Sequence, residues 1–181
     1  MVQLQFREVD GETWADFEAL FECRGSPHFC YCMVWRAVGE ERHMKGEARK
    51  ASMKQRVDGG TPIGLLGYVD GAPVAWCSVA PRSTYRRLGG LEVKGEAESN
   101  VWSIACFFIK RPYRGQGLTR QLIAAAKDLA RARGAKVLEA YPVTHDSPSY
   151  HFMGFVPTFE SLGFNEVAEA GYRRHVMRLS L

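Results

Sequence analysis

The chain has 181 residues, of which 46% are hydrophobic and 24% charged; these proportions fit one packed domain spanning 1–181 and exclude a disordered or fibrous chain. Its net charge of +4 suits small anionic ligands and is too mild to argue for nucleic acid. No basic start followed by an apolar block opens the chain, and its longest apolar stretch, residues 101–109, is far too short for a bilayer, so a cytoplasmic protein without a membrane partner is expected.

Residues 4–9 alternate with period two, as a strand does, and Asp10-Gly11 breaks them before Trp14, Phe17, Leu20 and Phe21, whose spacing is helical. Residues 38–57 are mostly charged, with Met44, Ala48 and Ala51 as an apolar stripe, which predicts a helix exposed along most of its surface. Two apolar runs, 63–69 and 74–80, flank Asp70-Gly71 and predict a β-hairpin. Pro81 ends the second run, and 82–100, with Gly89-Gly90 and Gly95, reads as a long connection. The aromatic-rich run 101–109 then predicts a strand buried on both faces. A turn follows, and with it a helix that carries Leu118, Leu122, Ile123, Ala126, Leu129 and Ala130 on one side, with Gly134 placed to stop it. Residues 136–143 follow as a buried strand; strand, helix, strand in this order predicts a right-handed crossover and a parallel pair. The tail predicts a short helix near 158–162 and strands at 164–167 and 173–179.

Five cysteines, an odd count without a secretory signal, predict reduced thiols rather than a disulfide framework. Cys23, Cys30 and Cys32, with His28 and His43 nearby, invite a zinc reading, yet the Cys-x2-Cys and His-x3-His spacings are absent. No metal is expected, and packing beside Tyr31, Met33 and Trp35 accounts for the thiols.

Arg114, Gly115, Gln116, Gly117, Leu118 and Thr119 lie between the buried strand and the amphipathic helix. Their backbone N–H groups therefore sit at a helix N-terminus, where unpaired donors and the dipole favour an anion. Gly115 and Gly117 let a pyrophosphate approach the backbone closely. A dinucleotide fingerprint needs a third glycine near Arg120 and a P-loop needs Gly-Lys-Ser/Thr; neither is present.

A strand ending in Phe107-Phe108-Ile109, followed by Lys-Arg-Pro-Tyr-Arg-Gly-Gln-Gly-Leu-Thr and a helix, resembles the acetyl-CoA-binding core of the GNAT superfamily of N-acyltransferases. The family signature Gln/Arg-x-x-Gly-x-Gly/Ala is met by Arg114 and Gly117 and departs at Thr119. The hairpin and a closing Phe159-Glu160-Ser161-Leu162-Gly163-Phe164 extend the likeness along the chain. The resemblance implies an α/β fold with a mixed, mostly antiparallel sheet, one parallel pair at the cofactor cleft and helices on both faces. It also implies acetyl-CoA as co-substrate, its pyrophosphate on the amides of 114–119 and its pantetheine arm added like a strand to Phe107, Phe108 and Ile109. Lys110, Arg111 and Arg120 are near enough in sequence to meet the adenosine phosphates, or else serve as exposed solubilising charges.

The reaction implied is direct attack of a neutral amine, on a small molecule or a peptide, upon the thioester carbonyl, by a monomer or homodimer. The family's usual glutamate base corresponds to Ser103 here, and its usual tyrosine acid to Phe159. Glu139, a carboxylate within an apolar strand, is the replacement base or a partner in a structural ion pair. Tyr141, Tyr150 and His151 are candidate acids. The missing side chains also admit an acyl-CoA-binding regulatory protein with weakened catalysis.

Overall fold

The computed structural model describes residues 2–97 and 100–181. Met1 and residues 98–99 of the predicted 82–100 connection lie outside the described residues. The strands are β1 (Gln5–Glu8), β2 (Leu65–Val69), β3 (Ala72–Pro81), β4 (Val101–Ile109), β5 (Val137–Ala140), β6 (Asn165–Ala170) and β7 (Arg174–Ser180). They form one sheet in the order β1-β2-β3-β4-β5-β7-β6, antiparallel at every step except β4–β5. The helices are α1 (Trp14–Glu22), α2 (Glu47–Asp58), α3 (Leu118–Ala132) and α4 (Val156–Glu160).

Local chemistry explains most of these boundaries. Asp10 Oδ1 accepts from the amides of Glu12 at 2.9 Å and Thr13 at 3.0 Å, turning the chain from β1 into α1. Asp70 and Gly71 both take positive φ, +49° and +76°, the conformation that a two-residue turn needs to match the twist of its flanking strands. Gly134, at φ +83°, ends α3 as its position suggested.

Residues 38–57 depart from the single helix expected. A 3-10 turn, Gly39–His43, comes first; Gly46 at φ +49° breaks the path, and α2 starts afresh at Glu47. The restart resets the buried face, so that Ser52, Met53 and Val57 point inward while Ala48 and Ala51 are exposed and Met44 is half-buried. The short helix begins earlier than expected, at Val156 with Pro157 in its first turn, and β6 runs on to Ala170.

Two layers cover the sheet. On one face α3 buries Leu118, Leu122, Ile123, Ala126 and Ala130 against β3, β4 and β5, joined by Phe159 of α4. On the other, α1 and α2 enclose Phe17, Phe21, Met53 and Trp76. Phe17 and Phe21 meet the edge of Trp76 with centroids 5.0 and 6.0 Å away, each pair contributing about 0.5–1.5 kcal/mol beyond burial. Among the described residues no helix is long and apolar enough to cross a membrane.

The irregular segment 25–37 is held to this second face by a buried guanidinium. Arg36, 2% exposed, donates to Ser78 Oγ and the Ile63 carbonyl at 2.8 Å each and to the Tyr85 hydroxyl at 2.9 Å, and lies 4.1 Å over the Tyr85 ring. A charge taken so far out of water persists only with this number of partners.

The 3-10 turn is tied to α2 by Arg56, which donates to both oxygens of Glu41 at 2.8 and 2.9 Å. Those bonds, with the Val38 amide, hold the Glu41 carboxyl at about 2, against 4.5 when free. A depressed carboxyl stabilises the fold above its unfolded value and loses that contribution as pH falls through its folded value. At neutral pH Glu41→Gln is therefore expected to cost about 1 kcal/mol after solvent screening. The gap between the two melting temperatures should close between pH 4.5 and about pH 2; a gap independent of pH would show that the pair contributes no linkage.

Candidate functional site

The parallel pair is short. β5 accompanies β4 only from Val101 to Ile104, and beyond Ala140 the chain leaves to bridge at Val143 with Phe155. The Val143 amide donates to the Gly154 carbonyl at 3.0 Å, and Val156 N to the Val143 carbonyl at 3.1 Å. β4 continues to Ile109 with β3 on one side only, so Cys106, Phe107, Phe108 and Ile109 face a wedge on the other.

That wedge is a cavity of about 890 Å³. Phe107, Phe108 and Ile109 form its floor, with Gly154, Phe155 and Thr158 on the facing wall. Gly154 sits at φ +88°, and a Cβ there would fall 2.9 Å from Phe159 and 3.3 Å from Phe107, so this wall can close on the floor only without a side chain.

One end of the cavity is the α3 N-terminus, lined by Arg114, Gly115, Gly117, Leu118 and Thr119. Gly115 and Gly117 take φ of +74° and +76°, and no side chain caps the helix. Its first amides therefore remain available to an anion. Two side chains of this turn bond back to the chain before it. Arg114 turns back so that Nε donates to the Ile109 carbonyl at 2.7 Å, latching the turn to the end of β4. Gln116 donates to the Pro112 carbonyl at 3.0 Å and does not line the cavity. Arg120 does line it and donates to Ser161 Oγ at 2.6 Å, joining α3 to the end of α4.

The other end is built from residues that periodicity could not reveal, the irregular segment with Gly25, Phe29, Cys30, Cys32, Val34 and Trp35. Only their crowding of cysteine and aromatic side chains marked them in sequence. Cys30, Cys32 and Cys106 all line the cavity, and all five cysteines are free thiols. Among the described residues no group of three His, Cys, Asp or Glu side chains could hold a metal. Trp76 Nε1 donates to Cys32 Sγ at 3.3 Å, and the Cys32 amide to Cys30 Sγ at 3.2 Å. The Cys32 thiol is drawn down to about 6, chiefly by the neighbouring Cys106 thiol and, against its burial, by the charge of Arg36. That same contact with Cys32, with burial, keeps the Cys106 proton well above the ordinary thiol range.

Glu139 and Tyr141 are brought together, but behind the cavity. Glu139 is fully buried, three strand positions or about 10 Å back along the sheet from the level of Cys106. Its oxygens accept from Arg178 Nε at 2.7 Å, the Tyr141 hydroxyl at 2.5 Å and the Leu91 amide at 3.3 Å, with Arg82 at 3.6 Å. A Cβ on Gly90 would fall 1.9 Å from Glu139 Oε1, so the 82–100 connection seals this carboxylate by passing over it with a glycine. Neither Glu139 nor Tyr141 lines the cavity. Of the two roles weighed for Glu139, the ion pair fits these contacts. Tyr141 bonds Ser103 as well, and its proton is held far up by burial and by Glu139.

Tyr150, at φ +66°, stands 6.3 Å from the Trp35 ring with Arg174 5.4 Å over its own ring, beside the cavity rather than on its lining. His151 does line it; its Nε2 donates to the Ser147 carbonyl at 2.5 Å, which leaves Nδ1 as the ring's acceptor.

Residues 14–155 match the acetyltransferase (GNAT) family. No curated protein matches the chain in sequence. Among solved structures, YncA of Salmonella typhimurium with acetyl-CoA is similar, with a TM-score of 0.59 at 19% identity over 98% of this chain and 94% of that one. A ribosomal-protein-alanine N-acetyltransferase from Brucella melitensis gives 0.58 at 18% identity, covering 98% and 100%. PaiA N-acetyltransferase from Thermoplasma acidophilum, in complex with coenzyme A, gives 0.58 at 12%, covering 99% of each. At these identities the likeness is one of fold.

An ion-pair role for Glu139 has a measurable consequence. Glu139→Gln removes the charge beneath Arg178 and should cost about 3 kcal/mol, lowering the melting temperature by roughly 10 °C, with coenzyme A affinity unchanged. A turnover loss with no loss of stability would instead make Glu139 a participant in proton transfer.

Proposed function

The chain belongs to the GNAT acetyltransferase family, and on that premise we propose that it is an N-acetyltransferase moving the acetyl group of acetyl-CoA to a neutral amine. The observation that carries this reading is the wedge beside β4 that ends on an uncapped helix N-terminus. An extended arm laid beside Phe107, Phe108 and Ile109 would take up the strand's unpaired groups as an added strand does. Its pyrophosphate would then reach the amides of Gly115, Gly117, Leu118 and Thr119, and Arg120 the phosphates beyond. Similar folds solved with acetyl-CoA or coenzyme A support the assignment of the donor.

The thioester would then lie toward the thiol and aromatic end of the cavity. Phe29, Val34 and Phe152 are exposed apolar side chains on its rim. Among the described residues no aspartate or glutamate lines it, so an ammonium ion finds no counter-charge there, and the acceptor enters as the free amine of a small molecule or peptide with an apolar body. That amine attacks the thioester carbonyl directly, and His151 Nδ1 is the group on the wall suited to take its proton. This single-displacement enzyme is cytoplasmic and acts as monomer or homodimer.

An amine-library screen with acetyl-CoA, read by release of free thiol, tests the activity and identifies the acceptor; tight acetyl-CoA binding with silence across the library would favour a regulatory protein instead. Gly117→Glu should abolish coenzyme A binding in calorimetry while the protein stays folded. A Cβ there meets nothing within 4 Å, so the substitution costs only the strain of a side chain at φ +76°, while its carboxylate adds a negative charge where the pyrophosphate must sit. Unchanged affinity would put the anion elsewhere. With an acceptor in hand, His151→Gln should lower kcat/KM by about 10²–10⁴, less at high pH where the amine arrives neutral; an unaltered rate removes His151 from the reaction.

A further inference from the structure

Three thiols on one wall of an acyl-carrier cavity are more than packing requires. Cys30 and Cys32 are 8% and 5% exposed and Cys106 is half-buried, yet all three border the cavity. The backbone at Tyr31 and Cys32 is held at φ +41° and +56°, two successive non-glycine residues in the left-handed region, a cost that packing alone could avoid with glycine. The indole N–H of Trp76 donates to Cys32 Sγ at 3.3 Å, and the Arg36 guanidinium adds a positive field. Trp35, nine-tenths buried, also lines the cavity, and among the described residues its buried Nε1–H has no hydrogen-bond partner.

We propose that Cys32 is an S-acetylation site, taking the acetyl group from acetyl-CoA bound in the cleft and holding it as a thioester. The proposal rests on the acetyl-CoA reading of the cavity and adds a second acceptor inside it. Cys32 thiolate attacks the acetyl carbonyl; the new bond joins Cys32 sulfur to that carbon, and the bond to the coenzyme A sulfur breaks. Coenzyme A leaves as a thiolate and takes a proton from solvent. One thioester replaces another, so the step needs no further reactant and reverses with free coenzyme A. The depressed Cys32 thiol keeps the nucleophilic form populated at neutral pH.

The experiment uses the full chain under a phosphine reductant, incubated with acetyl-CoA and no acceptor, then read by intact mass and fragment-ion mapping. One acetyl group on Cys32 is expected, discharged by neutral hydroxylamine and by excess free coenzyme A, and missing from Cys32→Ala. Should the alanine variant fail to fold, Cys32→Ser and the mapping of the unaltered chain carry the same test. A protein that binds acetyl-CoA in calorimetry but stays unmodified overturns the proposal and leaves the transferase reading standing. So does an adduct confined to lysines, Cys30 or Cys106. Failure to bind acetyl-CoA at all overturns both.

Discussion

The structure turns on a mismatch in length between two parallel strands. β4 has nine residues and β5 four, so their shared ladder ends at Ile104 and Ala140 and the remainder of β4 keeps one free edge. Buried backbone groups need partners, and such an edge is therefore a template for an extended ligand. The crossover that joins the two strands completes the arrangement. A parallel pair needs a helix between its members, and that helix must begin beside the end of the first strand. The free edge and the unpaired amides of α3 thus arise from one topological requirement.

Holding the cavity open falls to segments without regular structure, and buried charge keeps them in place. Arg36 fixes the 25–37 segment to β3 and the chain around Ile63 and Tyr85. Glu139, with Arg178, fixes residues 88–96 over the end of β5 and β7, where Arg178 also reaches Glu96 at 3.1 Å and Arg174 the Leu88 carbonyl at 2.7 Å. Such groups stabilise little in net terms, because desolvation offsets attraction. They do, however, penalise any other register of the loops, since a shifted loop would leave a charge buried and unpaired. Chemistry at the cavity wall inherits its geometry from these two anchors.

The thiol wall illustrates how position alters reactivity. Cys77 is buried beside Cys32 and its proton is held well above the ordinary range by burial, whereas Cys32 gains donors and a nearby guanidinium and is drawn the other way. Both are small apolar side chains in composition; their surroundings set their acidities apart.

Much of this was legible in the sequence where local physics decides. Asp70-Gly71 announced its hairpin because both residues tolerate positive φ, the α3 stripe announced its buried face, and Gly115 with Gly117 marked the uncapped turn. Sequence erred in residues 38–57, where Gly46 interrupts a charged pattern that reads as one helix and the buried face is chosen by what α2 packs against. The placement of Glu139 behind the cavity, the turning back of Arg114 onto Ile109, and the meeting of Cys32 with Cys106 from segments 74 positions apart depend on tertiary packing. Periodicity and turn chemistry report the neighbours of a residue along the chain. Burial, charge pairing and thiol acidity depend on neighbours across the fold, and those were decided only when the sheet brought them together.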